Sequence, residues 1–114
     1  MAGRSGMKTI NNNCGLIEVK LDESIKWICL GGPATASLEI TYVPNNTIYE
    51  YIDLHNWLVN SEWNTDPSNP RILEEVVAVI WAKLTEIAQP AYLKLIAHAM
   101  GGKHGPLTVI KEDE

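Results

Sequence analysis

Between Asn69-Pro70 and Pro90 the apolar residues fall at helical spacing. Leu73, Val76, Val77, Ile80, Leu84, Ile87 and Ala88 make one continuous stripe, which Ile72, Val79 and Trp81 widen. A helix with that much apolar surface needs a broad apolar partner, and a sheet is the common one. Asn69 suits its cap. Pro70 suits the first helical position, where the missing N–H is not needed. Pro90 stops the helix.

The partner is written on either side of it. Residues 16–22 alternate, with Ile17, Val19 and Leu21 opposite Glu18, Lys20 and Asp22. Asp22-Glu23-Ser24 reads as a break, after which Ile25 to Leu30 resumes extended structure, as one bent strand or a hairpin. Ser37 to Val43 is a second strand, with Leu38, Ile40 and Tyr42 on one face. Tyr92 to Met100 is a third, with Leu93, Leu95, Ala97 and Ala99 together, and Leu107 to Lys111 is a fourth. Thr47 and Glu50 have capping-box spacing. They predict an earlier helix running to about Ser61, with Ile48, Tyr51, Ile52, His55, Leu58 and Val59 on its stripe.

The order is therefore strand, strand, helix, helix, strand, strand. It predicts an α+β layer, ββααββ, in which two helices cover one face of a four-stranded antiparallel sheet. Trp27, Val43, Tyr92, Ile96 and Met100 then fall on the other face. That is apolar for a solvated surface and points to a homo-oligomer. Residues 1–13 read as a flexible leader, 14–112 as a single domain and 113–114 as a solvated tail.

Composition narrows the function. At 114 residues with a formal charge of -5, the chain lacks the Lys/Arg surface that broad phosphate-driven nucleic-acid binding needs. Cys14 and Cys29 make no disulfide framework. No apolar run is long enough to span a bilayer, and the start of the chain has no signal-peptide core, so a cytoplasmic protein is the default expectation. Cys29 is the best single candidate for chemistry, because it ends a strand-like run beside Gly31-Gly32-Pro33, where a small molecule can reach a thiol.

Local stretches resemble one family. Leu38-Glu39-Ile40-Thr41-Tyr42-Val43-Pro44, then Glu50 and Leu54-His55-Asn56-Trp57-Leu58, are similar to a strand and aromatic helix of the 7-cyano-7-deazaguanine reductases, the nitrile reductases of queuosine synthesis. Asn69-Pro70-Arg71-Ile72-Leu73-Glu74-Glu75 and Gln89-Pro90-Ala91-Tyr92-Leu93-Lys94-Leu95 resemble that family's second helix start and following strand. The resemblance covers about residues 15–112 and implies the tunnelling fold. It puts Cys29 where the family's nucleophile attacks the nitrile of a 7-deazapurine to form a thioimide. It also implies a site built between subunits of a ring-like homo-oligomer, with a carboxylate gripping the edge of the purine-like ring.

The chain departs from the family at several points. The loop after Cys29 is shorter and lacks the family's general acid. Glu50-Tyr51-Ile52-Asp53 stands where Glu-Ser-Lys-Ser is associated with NADPH, so NADPH use is implied without its motif. Asp66, or Glu62 with a different gap, is left to grip the ring, and Glu50 is a further candidate substrate-binding acid, although its capping-box spacing also accounts for it. A related archaeal branch of small proteins forms the same thioimide but transfers ammonia to make an amidine on tRNA. Two alternatives to nitrile reduction follow: amidine formation on a tRNA- or DNA-borne base, and a non-catalytic subunit that binds a purine or pterin or only builds a ring. Tunnelling-fold relatives include zinc enzymes, but Cys29, His98 and His104 have no tight ligand spacing.

Overall fold

The computed structural model describes residues 7–60, 68–101 and 104–113. Its elements are β1 (Thr9–Asn11), β2 (Val19–Cys29), β3 (Gly32–Val43), β4 (Thr47–Tyr49), α1 (Tyr51–Asn60), α2 (Leu73–Ala88), β5 (Tyr92–Ala99) and β6 (Leu107–Glu112). The main sheet has the order β2-β3-β5-β6, with every neighbouring pair antiparallel. The expected ββααββ layer is present, and β1 with β4 adds a separate two-stranded ribbon.

The break expected at Asp22-Glu23-Ser24 does not occur. β2 and β3 form one hairpin paired from Val19↔Tyr42 to Cys29↔Gly32, and Leu30-Gly31 is its two-residue turn. Unbroken alternation puts Ile25, Trp27 and Cys29 in phase with Val19 and Leu21. Trp27 is therefore buried on the helix-facing side, not on the outer face predicted for it. Glu23 falls in the same inward phase. It is tolerated because His55 of α1 reaches it, Nδ1 to Oε1 at 2.7 Å. Val43, Tyr92 and Ile96 do share the outer face, with Ile110 of β6 opposite Ile96, and Met100 lies exposed just past the end of β5.

Two boundaries differ from the sequence reading. Thr47 does not cap α1, because Thr47–Tyr49 pairs with Thr9–Asn11. Part of the expected leader is thus a strand, with Met7 buried beside it. The cap is Glu50, whose carboxylate accepts the amides of Ile52 (3.1 Å) and Asp53 (3.3 Å). The later start turns Leu54 and Leu58 inward and leaves Ile52 and Val59 exposed. Similarly, α2 begins at Leu73 rather than Pro70. Ile72 is at its cap position, and Glu75 accepts the Ile72 amide at 3.0 Å. Gln89, in the left-handed region, closes α2 with its amide on the Thr85 carbonyl. Asp113, expected in the tail, extends the β5–β6 pairing by donating to and accepting from Leu93.

The core lies between the sheet and the helices. Leu38, Ile40 and Tyr42 of β3, Leu93 and Leu95 of β5, and Val76, Ile80 and Leu84 of α2 are fully or almost fully buried. Burial of each such side chain stabilises by about 1.5–3 kcal/mol. Tyr42 and Tyr49 pack edge to face at 4.8 Å. The Tyr49 hydroxyl donates to the Leu84 carbonyl at 2.6 Å, and the Tyr42 and Tyr51 hydroxyls lie 2.7 Å apart.

Candidate functional site

β3 outruns its neighbour. It pairs with β5 only from Ser37 to Val43, and β5 ends at Ala99 opposite Ala36, so residues 32–35 have β2 on one side and nothing of β5 on the other. The notch left there opens into a groove of about 1090 Å³. The hairpin contributes Trp27, Cys29 and Ala34. The first turn of α2 contributes Leu73 and Glu74, and the segment around the β5–β6 turn contributes His98 and His104.

Local bonds hold these walls. The chain entering α2 is fastened to β2, with the Arg71 amide on the Ile28 carbonyl at 2.8 Å and the Trp27 indole N–H on the Arg71 carbonyl at 3.0 Å. This fixes the start of α2, and with it Glu74, beside the hairpin. On the other wall Gly101 has φ of +85°, and a Cβ there would collide with the His104 and Gly105 carbonyl oxygens. Only glycine allows that turn to fold back so tightly.

Cys29 is half-buried on the helix-facing side of the hairpin end, and its Sγ accepts the Gly31 amide at 3.4 Å. Glu74 is the one carboxylate among the described residues lining the groove. It is exposed, so both oxygens can accept from a ligand that carries adjacent N–H groups. Neither the charge pattern nor the helix stripe singles it out. The signal available was its position in the first turn of a helix whose lead-in passes the thiol. Leu30 and Met100, 77% and 73% exposed, and Ile72 surround the groove with apolar surface.

The other sequence candidates are distributed differently. Glu50 lies at the start of α1, away from the groove lining, with both carboxylate oxygens on helix amides. Asp66 and Glu62 lie outside the described residues. His98 projects to the outer face, where its Nδ1 meets Thr108 Oγ1 at 2.7 Å, in a cross-strand row with Ser37. Cys14 is exposed in the segment before β2 and, like Cys29, is a free thiol. No group of three or more His, Cys, Asp or Glu side chains that could hold a metal ion is found among the described residues. Among the described residues no helix is long and apolar enough to cross a membrane.

A crystal structure of the archaeosine synthase QueF-Like in the apo form is similar to this chain with a TM-score of 0.72, covering 84% of this chain and 92% of that one. The chain has the tunnelling fold. The two sequences are 13% identical over the match, so the likeness is one of architecture and brings no activity with it. No family model and no curated protein matches the sequence. The groove at the open end of β3 is thus a feature of a tunnelling-fold domain in which the strands and helices, rather than particular residues, match a solved enzyme structure.

Proposed function

We propose that this tunnelling-fold protein binds a 7-deazapurine nitrile in the groove and holds it covalently through Cys29. The observation that carries the reading is that Cys29 and Glu74 line one groove from two different elements. The Glu74 carboxylate grips the ring edge by accepting two parallel N–H bonds, one from the ring and one from the exocyclic amine. The Cys29 sulfur then attacks the nitrile carbon. A C–S bond forms, one C–N π bond opens, and the nitrogen takes a proton to give a thioimide.

The chain's own residues favour ammonia over hydride as the second reactant. Ile52, 70% exposed, stands where the reductases have the lysine of their NADPH motif, and the Glu50 carboxylate is engaged in capping. These residues do not fit NADPH. Ammonia adds to the thioimide carbon and the thiolate leaves, giving an amidine and restoring Cys29. The similar solved structure is that of an archaeosine synthase, which agrees with this direction. The apolar surface of Leu30, Ile72 and Met100 around the groove supports a site completed by a second copy of the chain.

Intact-protein mass spectrometry after incubation with 7-cyano-7-deazaguanine tests the reading. An adduct is expected on the wild type and none on Cys29→Ala. A folded wild-type protein that gains no mass would overturn it. One observation favours a second reading: the turn after Cys29 and the first six residues of β3 carry no carboxylic acid. Binding that is unchanged in Cys29→Ala, with no covalent product, would mark a non-catalytic purine- or pterin-binding subunit.

A further inference from the structure

We propose that His104 moves the proton in thioimide formation, taking it from the Cys29 thiol and delivering it to the nitrile nitrogen; this inference rests on the function proposed above. Attack by sulfur on a nitrile needs a base for the S–H and an acid for the nitrogen. In this chain the stretch after Cys29 is a two-residue turn running into a strand whose first six residues are Gly, Pro, Ala, Thr, Ala and Ser, so no carboxylic acid stands in that stretch. The titratable side chains among the described residues lining the groove are Cys29, Glu74, His98 and His104. Glu74 is committed to the ring edge.

The two imidazoles are presented differently. His98 stands on the outer face, tied to Thr108. His104 is exposed in the β5–β6 turn, the part of the groove wall that Gly101 keeps folded back. Its Nδ1 lies 2.6 Å from the Gly105 carbonyl oxygen. A carbonyl can only accept, so Nδ1 carries the hydrogen and Nε2 of the neutral ring holds a lone pair. That nitrogen accepts the thiol proton as sulfur attacks and returns it to the nitrogen of the opened nitrile. The balance closes without an outside acid: S–H and C≡N become S–C=N–H, and the imidazole ends as it began.

The test is the rate of mass gain with 7-cyano-7-deazaguanine in a Cys14→Ser background, comparing His104→Ala and His98→Ala. Tryptophan fluorescence, with Trp27 in the groove wall, reads affinity separately. His104→Ala is expected to slow adduct formation about 100-fold, with affinity within about twofold of wild type and partial recovery on adding imidazole. A rate within about threefold of wild type, or a loss that falls on His98→Ala instead, would overturn the inference. Should the unsubstituted site form no adduct, the nitrile reading fails, and alkylation of Cys29 by iodoacetamide then decides His104. Slower alkylation in His104→Ala, reversed by imidazole, keeps it as the base for the thiol; equal rates remove it.

Discussion

Glu74 reaches the groove from the first turn of α2, and its value there depends on charge and on two oxygens side by side. Glu74→Gln keeps the shape but accepts only one bond and carries no charge. It should weaken binding of the deazapurine about 10- to 100-fold, read by tryptophan quenching, because hydrogen bonds to a charged group contribute about 1.5–3 kcal/mol. An affinity that does not change would remove Glu74 from the site. Glu50 is the contrasting carboxylate. Glu50→Ala should leave ligand affinity alone and lower stability by about 1 kcal/mol in urea unfolding, since its oxygens cap α1. Loss of binding with unchanged stability would reverse that assignment.

At the scale of elements, the β1–β4 ribbon and α2 meet at Tyr49, and β3 meets them through Tyr42. Burial raises the pKa of both phenols well above the ordinary value, and the hydrogen bond with Tyr51 adds to the effect on Tyr42. A raised folded-state value means the proton is bound more tightly in the native protein than in the unfolded chain. The stabilisation is complete below the ordinary phenol pKa of about 10 and is lost as pH rises above it. Unfolding midpoints in urea should therefore hold up to about pH 9 and fall steeply beyond about pH 10. Midpoints that stay level there would contradict the buried, neutral state of Tyr42 and Tyr49. The β5–β6 turn has its own test. Gly101→Ala meets both a positive φ and the carbonyls of His104 and Gly105, so it should destabilise by at least about 1 kcal/mol in the same assay.

For the whole molecule, the outer sheet face and the unpaired end of β3 leave apolar surface and strand edge exposed together. Ile110 of β6 is 58% exposed, opposite Ile96 of β5, and Met100 lies beyond them. Light scattering should give a mass well above that of one chain. Ile110→Lys should shift it toward the monomer, because an unpaired charge on an apolar contact costs several kcal/mol. A wild-type monomer would show that this surface is not an interface.

The alternation in Leu38 to Tyr42 and Leu93 to Ala99, and the helical stripe from Leu73 to Ala88, needed no tertiary information, because each records in its period which face will be buried. From those periods came the four-stranded sheet, the two helices and their order. Cys29 at the end of the hairpin was legible too, as a thiol beside glycine. Tertiary structure decided what local pattern leaves open. Thr47 to Tyr49 carries a helix-start pattern, yet it is a strand because Thr9 to Asn11 arrives to pair with it. Glu23 reads as a strand break, yet it is continuous strand because His55 meets its carboxylate from another element. Glu74 reads as one more surface acid. It becomes a groove residue only because the Arg71 and Trp27 bonds bring the start of α2 against β2, a contact between residues 44 apart that no local periodicity encodes.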